Sequence, residues 1–114
     1  MTRSFHLTPR AEDSLVDIAR WTIQQFGVRQ ADIYETELVA RCKAIVRGDA
    51  VSQSCSVLID DEADLRYARA GEHFVVFLER STEVLIVDFL HSRSDLPRYI
   101  AALGTLKNDG SDKG

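Results

Sequence analysis

The sequence predicts an α+β fold, a helical hairpin packed on a small twisted antiparallel sheet, in the order β-α-α-β-β-β with a short C-terminal helix. Three observations carry this prediction. Glu72 to Arg93 holds two apolar runs, His73 to Leu78 and Val84 to Leu90, rich in Val, Ile and Phe and parted by a polar break at Glu79 to Glu83. Such runs read as two strands of a hairpin. Upstream, two stretches of helical periodicity meet at Gly27, and the second stops at Gly48. Helices joined so tightly fold back on each other as an antiparallel pair. Finally, the apolar residues in both strand runs are nearly continuous, where a half-buried strand would alternate. Both sheet faces therefore need cover.

Taken in order, Ser4 to Leu7 (SFHL) is a short first strand with Phe5 and Leu7 on one face. Thr8-Pro9 opens the first helix, because the Thr8 hydroxyl can accept an orphan backbone N–H and Pro9 lacks a donor where none is needed. Ala11, Leu15, Ile18, Thr22 and Phe26 form its inward stripe, and Gly27 ends it. Ala31, Tyr34, Leu38, Cys42 or Arg41, and Ile45 form the stripe of the second helix. Residues Asp49 to Asp64 are the least readable: a Ser-rich piece, the apolar Val57 to Ile59, and the acidic cluster Asp60, Asp61, Glu62 and Asp64. That cluster reads as a solvated loop, since nothing in it announces the converging carboxylates a divalent ion needs. Leu65 to Ala70 (LRYARA) alternates as a strand and turns at Ala70-Gly71 into the central hairpin. Ser94 or Asp95 caps a short helix from Leu96 to Leu103, with Pro97 in its first turn.

At 114 residues the chain makes one domain over residues 1–104, with residues 105–114 a polar, disordered tail. The formal net charge of -4 supplies no global basic field, so direct nucleic-acid binding is not expected. The first ten residues lack an apolar signal core, and no run approaches a membrane span. A cytoplasmic protein is expected. Cys42 and Cys55 are expected as two free thiols, with no metal site and no cofactor.

The ordered local words add a resemblance. LTPRAEDSL (Leu7 to Leu15), WTIQQFG (Trp21 to Gly27) and RQADIYETEL (Arg29 to Leu38) are followed by LRYARAGEHFVVF (Leu65 to Phe77) and VLIVDFLHSRSD (Val84 to Asp95). Over residues 4–103 this set resembles the ParE branch of the RelE/ParE toxin superfamily, from bacterial toxin-antitoxin modules. The resemblance implies a non-enzymatic toxin that inhibits DNA gyrase by protein-protein binding and forms a hetero-oligomer with a ParD-like antitoxin. A RelE-like ribosome-dependent mRNA endonuclease and a non-toxic antitoxin-binding homologue are the alternatives.

On the ribonuclease alternative, Arg66, Arg69, Arg93 and Tyr99 would hold the scissile phosphate and move a proton. Against it stand Leu78, Glu79 and Asp88 in the middle strands, because carboxylates facing a phosphate would repel it. For target binding the candidates are His91, Arg93, Asp95 and Tyr99. For antitoxin binding they are Trp21, Ile33 and Val39 on the helices and Arg66 and Arg69 on the strand. Each has a plainer reading. His91 can be a structural histidine bonded to backbone at the strand end, and Arg93 and Asp95 can pair or cap the last helix. Trp21 and Tyr34 can pack within the helical hairpin. Arg66 or Arg69 can be a solvated edge charge.

Overall fold

Sequence signals for helix starts and stops become the boundaries of α1 (Pro9–Phe26) and α2 (Val28–Arg47) in a computed structural model that describes residues 3–55 and 65–102. Thr8 is extended and its hydroxyl accepts from the Ala11 N–H at 3.1 Å, with Pro9 at the first helical position. Gly27, at φ 95°, ends α1 and opens α2, and Gly48 closes α2 in the left-handed region at φ 80°. Only glycine takes these angles without strain.

Five strands follow the order β1-β5-β4-β3-β2. They are β1 (Ser4–Leu7), β2 (Gln53–Ser54), β3 (Leu65–Ala70), β4 (His73–Glu79) and β5 (Glu83–His91). A third helix, α3, occupies residues 96–102. The α+β plan therefore holds with two differences. The sheet is mixed, because β1 pairs parallel with β5 while every other pair is antiparallel. The helical hairpin returns the chain to the end of the sheet it left, so β2 runs against β1, and three reversals later β5 runs with it. The second difference is β2 itself, a two-residue strand that no periodicity announces.

Both faces of the sheet are covered. On one side Ala11, Leu38, Cys42 and Ile45 of the helices pack with Val75, Phe77, Val84, Ile86 and Phe89. On the other, Leu96 and Ile100 of α3 and the Cys55 segment pack with Leu65, Val76 and Leu90. The near-continuous apolar runs of β4 and β5 follow from this double cover. Both thiols are free and buried, and burial pushes that of Cys42 up to about 11. The acidic cluster Asp60 to Asp64 and the tail at 105–114 lie outside the described residues.

One irregularity matters for the site. Val76 pairs with Asp88 but Phe77 pairs with Ile86, so Val87 is an extra residue in β5, a bulge. Val84 and Ile86 face the helical hairpin. Strict alternation would place Asp88 there too. The bulge resets the phase, so Phe89 takes the hairpin side and Asp88 shares the α3 side with its neighbour Val76.

Candidate functional site

A groove of about 740 Å³ runs along α1 where the helical hairpin meets the ends of β4 and β5. Its helical wall is a stripe at helical spacing: Ser14, Asp17, Ile18, Trp21, Thr22 and Phe26. Trp21 and Phe26 are 53% and 66% exposed and meet edge to face, with ring centroids 5.9 Å apart. Neither packs inside the hairpin, contrary to the inward stripe expected to hold Phe26 and to the plainer reading of Trp21. Thr22 is buried instead, its hydroxyl bonded to the Ile18 carbonyl at 2.7 Å.

The sheet wall is built around Tyr34 and two histidines. The Tyr34 hydroxyl accepts from the Glu72 N–H at 2.9 Å and lies 2.6 Å from His73 Nδ1, which fastens α2 to the β3–β4 turn. Tyr34 thus serves the sheet, whereas helix-hairpin packing was the plainer expectation. Gly71 makes this approach possible. At φ 59°, a Cβ there would sit 2.7 Å from Tyr34 Cε1. Gly71→Ala is expected to cost ~2 kcal/mol, from left-handed strain plus a displaced tyrosine, read as a lowered urea midpoint.

His73 and His91 are register partners across β4 and β5, with ring centroids 5.2 Å apart. His73 is buried at 8% exposure, and burial, reinforced by His91, lowers its pKa to about 4. The exposed His91 accepts the Arg93 N–H through Nδ1 at 3.0 Å, which leaves Nε2 as its outward ring nitrogen. This is the backbone-bonded geometry of a structural histidine. Arg93 is exposed and lines the groove, and among the described residues no ion pair engages its guanidinium. Asp95 does not pair with it: its Oδ1 accepts from the Arg98 N–H at 3.3 Å and caps α3.

Tyr99 lies half-buried on α3, away from this wall. Its hydroxyl donates to Asp88, and Arg10 Nη1 donates to it at 3.1 Å. Burial, with the Asp88 bond, raises the Tyr99 phenol above its usual range, and the Tyr99 bond in turn raises Arg10. Asp88 is 1% exposed and also accepts from Ser14 Oγ at 2.5 Å and from the Phe89 N–H at 2.8 Å. The sequence treats Asp88 as a face charge that repels phosphate. The fold makes it a buried clamp joining α1, β5 and α3.

The cations on β3 have local partners. Arg66 donates to the Ser52 hydroxyl and carbonyl at 3.0 and 3.2 Å. Arg69 donates to the Gly71 carbonyl at 2.6 Å and stands 5.5 Å from the centre of the Phe74 ring. Arg3, which sequence reading passed over, donates to the Ile45 and Val46 carbonyls at the end of α2 and pairs with Glu79 at 3.1 Å. A cation on these last carbonyls suits the negative helix end, and only the fold reveals that Arg3 reaches them. Leu78 joins the apolar cluster under α3. Arg66, Arg69, Arg93 and Tyr99 therefore occupy separate settings, and Arg66, Arg69 and Tyr99 are each held by local partners.

The helical candidates for partner binding also separate. Trp21 lines the groove, Val39 lines a shallow depression along α2 with Glu35 and Lys43, and Ile33 is exposed on α2 in neither. Among the described residues no cluster of three or more His, Cys, Asp or Glu could hold a metal. No described helix is long and apolar enough to cross a membrane.

Comparison with known proteins adds three findings. A protein-family model described as the ParE toxin of the type II toxin-antitoxin system parDE matches residues 5–96. Toxin ParE of Escherichia coli is 32% identical over 99 residues, which span 86% of this chain and 93% of that protein. A solved structure, the chromosomal ParDE TA system from P. aeruginosa, shares the fold with a TM-score of 0.62 at 16% identity, covering 79% of this chain and 96% of that one.

Proposed function

The chain belongs to the ParE toxin family of type II toxin-antitoxin systems, and from that premise we propose that it stops bacterial growth by binding DNA gyrase. In this reading it works in the cytoplasm, needs no cofactor and performs no catalysis. A ParD-like antitoxin, the kind of partner named for the related ParDE system, neutralises it.

The observation that carries the non-enzymatic reading is the commitment of the polar groups. Cleaving RNA requires several cations on one face around the phosphate, with a proton-transfer group beside them. Arg66 is tied to Ser52, Arg69 to Gly71, and the Tyr99 hydroxyl to Asp88 and Arg10. What the chain offers is a mostly apolar groove with His91 and Arg93 on its sheet wall, a surface suited to another protein. His91 and Arg93 are target-contacting residues, and Asp95 and Tyr99, at the cap and on the body of α3, extend the contact beyond the groove. Trp21 lines the same groove, so an antitoxin seated on Trp21 also covers His91 and Arg93. Neutralisation is then occlusion, with Ile33, Val39, Arg66 and Arg69 extending the antitoxin footprint.

Induced in bacteria without an antitoxin, the chain should halt growth and trigger the DNA-damage response while transcripts stay full length. Arg93→Ala alters an exposed side chain and should weaken gyrase inhibition roughly tenfold, as loss of an interface anchor does. Rapid transcript cleavage that disappears in Tyr99→Phe would instead select the endonuclease.

A further inference from the structure

We propose that Tyr34 is a positioning residue for Arg93: its hydroxyl, where two routes of contact begin, holds the turn after β5 in the conformation from which Arg93 meets the target. This deepens the toxin reading above and rests on it for the identity of that target.

Arg93 stands in an exposed turn just past the end of β5. Its side chain is long, so the space its guanidinium can sample depends on how its backbone is held. Three consecutive backbone donors fix that turn. The Ser92 N–H donates to the Glu72 carbonyl at 2.8 Å, the Arg93 N–H to His91 Nδ1 at 3.0 Å, and the Ser94 N–H to the His91 carbonyl at 2.9 Å. Two of these bonds return to His91, at the end of the strand that the turn leaves. The bond from Ser92 crosses instead to the β3–β4 turn.

Both acceptor residues lead back to Tyr34. Along the backbone, the Glu72 N–H donates to the Tyr34 hydroxyl at 2.9 Å, so Glu72 is held by α2 through its donor and holds Ser92 through its carbonyl. Through side chains, the same hydroxyl lies 2.6 Å from His73 Nδ1, and the His73 ring meets the His91 ring edge to face with centroids 5.2 Å apart. His91 then takes the Arg93 N–H. The two routes share one start and end on the consecutive residues Ser92 and Arg93. An anchor whose backbone is fixed before the partner arrives loses less freedom on binding, so a hydroxyl can raise affinity through the residue it holds. Tyr34 also lines the groove, and a direct contact of its own with the target would act independently of Arg93.

The test uses the purified full chain and Tyr34→Phe, which keeps the ring and removes only the hydroxyl. Amide hydrogen exchange at Ser92 should quicken roughly tenfold, while amides in the middle of β4 keep their rates. Gyrase inhibition should weaken roughly fivefold, the worth of about one hydrogen bond. Added to Arg93→Ala, the same substitution should cost less than about twofold more, because the residue it positions is gone. Gly71→Ala, which displaces the Tyr34 ring, should also quicken exchange at Ser92. The proposal is overturned if folded Tyr34→Phe leaves Ser92 exchange unchanged, if it inhibits as wild type does, or if its loss and that of Arg93→Ala multiply. Should Tyr34→Phe not fold, exchange in the wild-type chain decides. Glu72 and Ser92 amides that open together support the proposal, and a Ser92 amide exchanging at the unprotected rate overturns it. The exchange measurements need no gyrase, so the two readings fail separately. A chain that leaves gyrase untouched but opens Glu72 and Ser92 together loses its target and keeps the Tyr34 tie, whereas one that inhibits gyrase with Ser92 unprotected keeps its target and loses the tie.

Discussion

Asp88→Ala should lower the unfolding free energy by roughly 3–5 kcal/mol. The carboxylate is 1% exposed and accepts from the Ser14 hydroxyl, the Tyr99 hydroxyl and the Phe89 N–H. Alanine removes the acceptor and leaves three donors without their shared partner. It also unfastens α3, which covers the second face through Leu96 and Ile100. Small domains hold only about 5–15 kcal/mol in total, so the variant should sit near the threshold of folding. Asp88→Asn keeps the shape and one carbonyl acceptor, and should cost about half as much. Urea unfolding followed by circular dichroism checks the order of wild type, Asn and Ala. Equal midpoints for all three would remove the clamp from the account.

The second large effect is a dependence on pH carried by His73. In the folded chain burial lowers its pKa to about 4, whereas the unfolded chain titrates it near the ordinary histidine value of 6.5. Between those values the unfolded state binds the extra proton. Stability is therefore full above about pH 6.5, falls as pH drops toward 4, and loses nothing further from this group below that. The loss should reach roughly 2–3 kcal/mol. Other groups titrate in the same range, so the useful comparison is with His73→Gln, which keeps a polar group near the Tyr34 hydroxyl but cannot ionise. The stability gap between wild type and variant should shrink steadily from pH 7 to pH 4.5. Parallel curves would show that His73 is not the source.

Much of this architecture is legible in the sequence because its signals are local. Thr8-Pro9 and the glycines at 27 and 48 act within a few residues of where they stand, so they place both helices. The apolar runs of β4 and β5 announce two covered sheet faces before the covering elements are known. What escapes local reading depends on register. The parallel pairing of β1 with β5 joins residues nearly eighty positions apart, and β2 is too short for any periodicity. The extra residue at Val87 is invisible in composition, yet it decides that Asp88 faces Tyr99. Read without the bulge, Asp88 is a repulsive charge on a face; with it, Asp88 is a structural hub.

The site divides the same way. His91 and Arg93 stand out in sequence as polar residues closing an apolar strand, and they do line the groove. Tyr99 also stands out, but its hydroxyl is drawn into the Asp88 clamp. His73 belongs to an apolar run, and nothing in the sequence predicts its contact with Tyr34 across thirty-nine residues. That contact needs both the αα-hairpin and the tight turn at Gly71. Exposure of Trp21 and Phe26 is equally a tertiary outcome, since their spacing fits a core stripe as well as a groove.

The most direct test of protein-protein inhibition is a DNA supercoiling reaction with purified gyrase and the purified, folded chain. The expected result is loss of supercoiling with accumulation of gyrase-cleaved DNA, relieved by adding an antitoxin. Undiminished supercoiling at a large molar excess of folded chain would contradict the account.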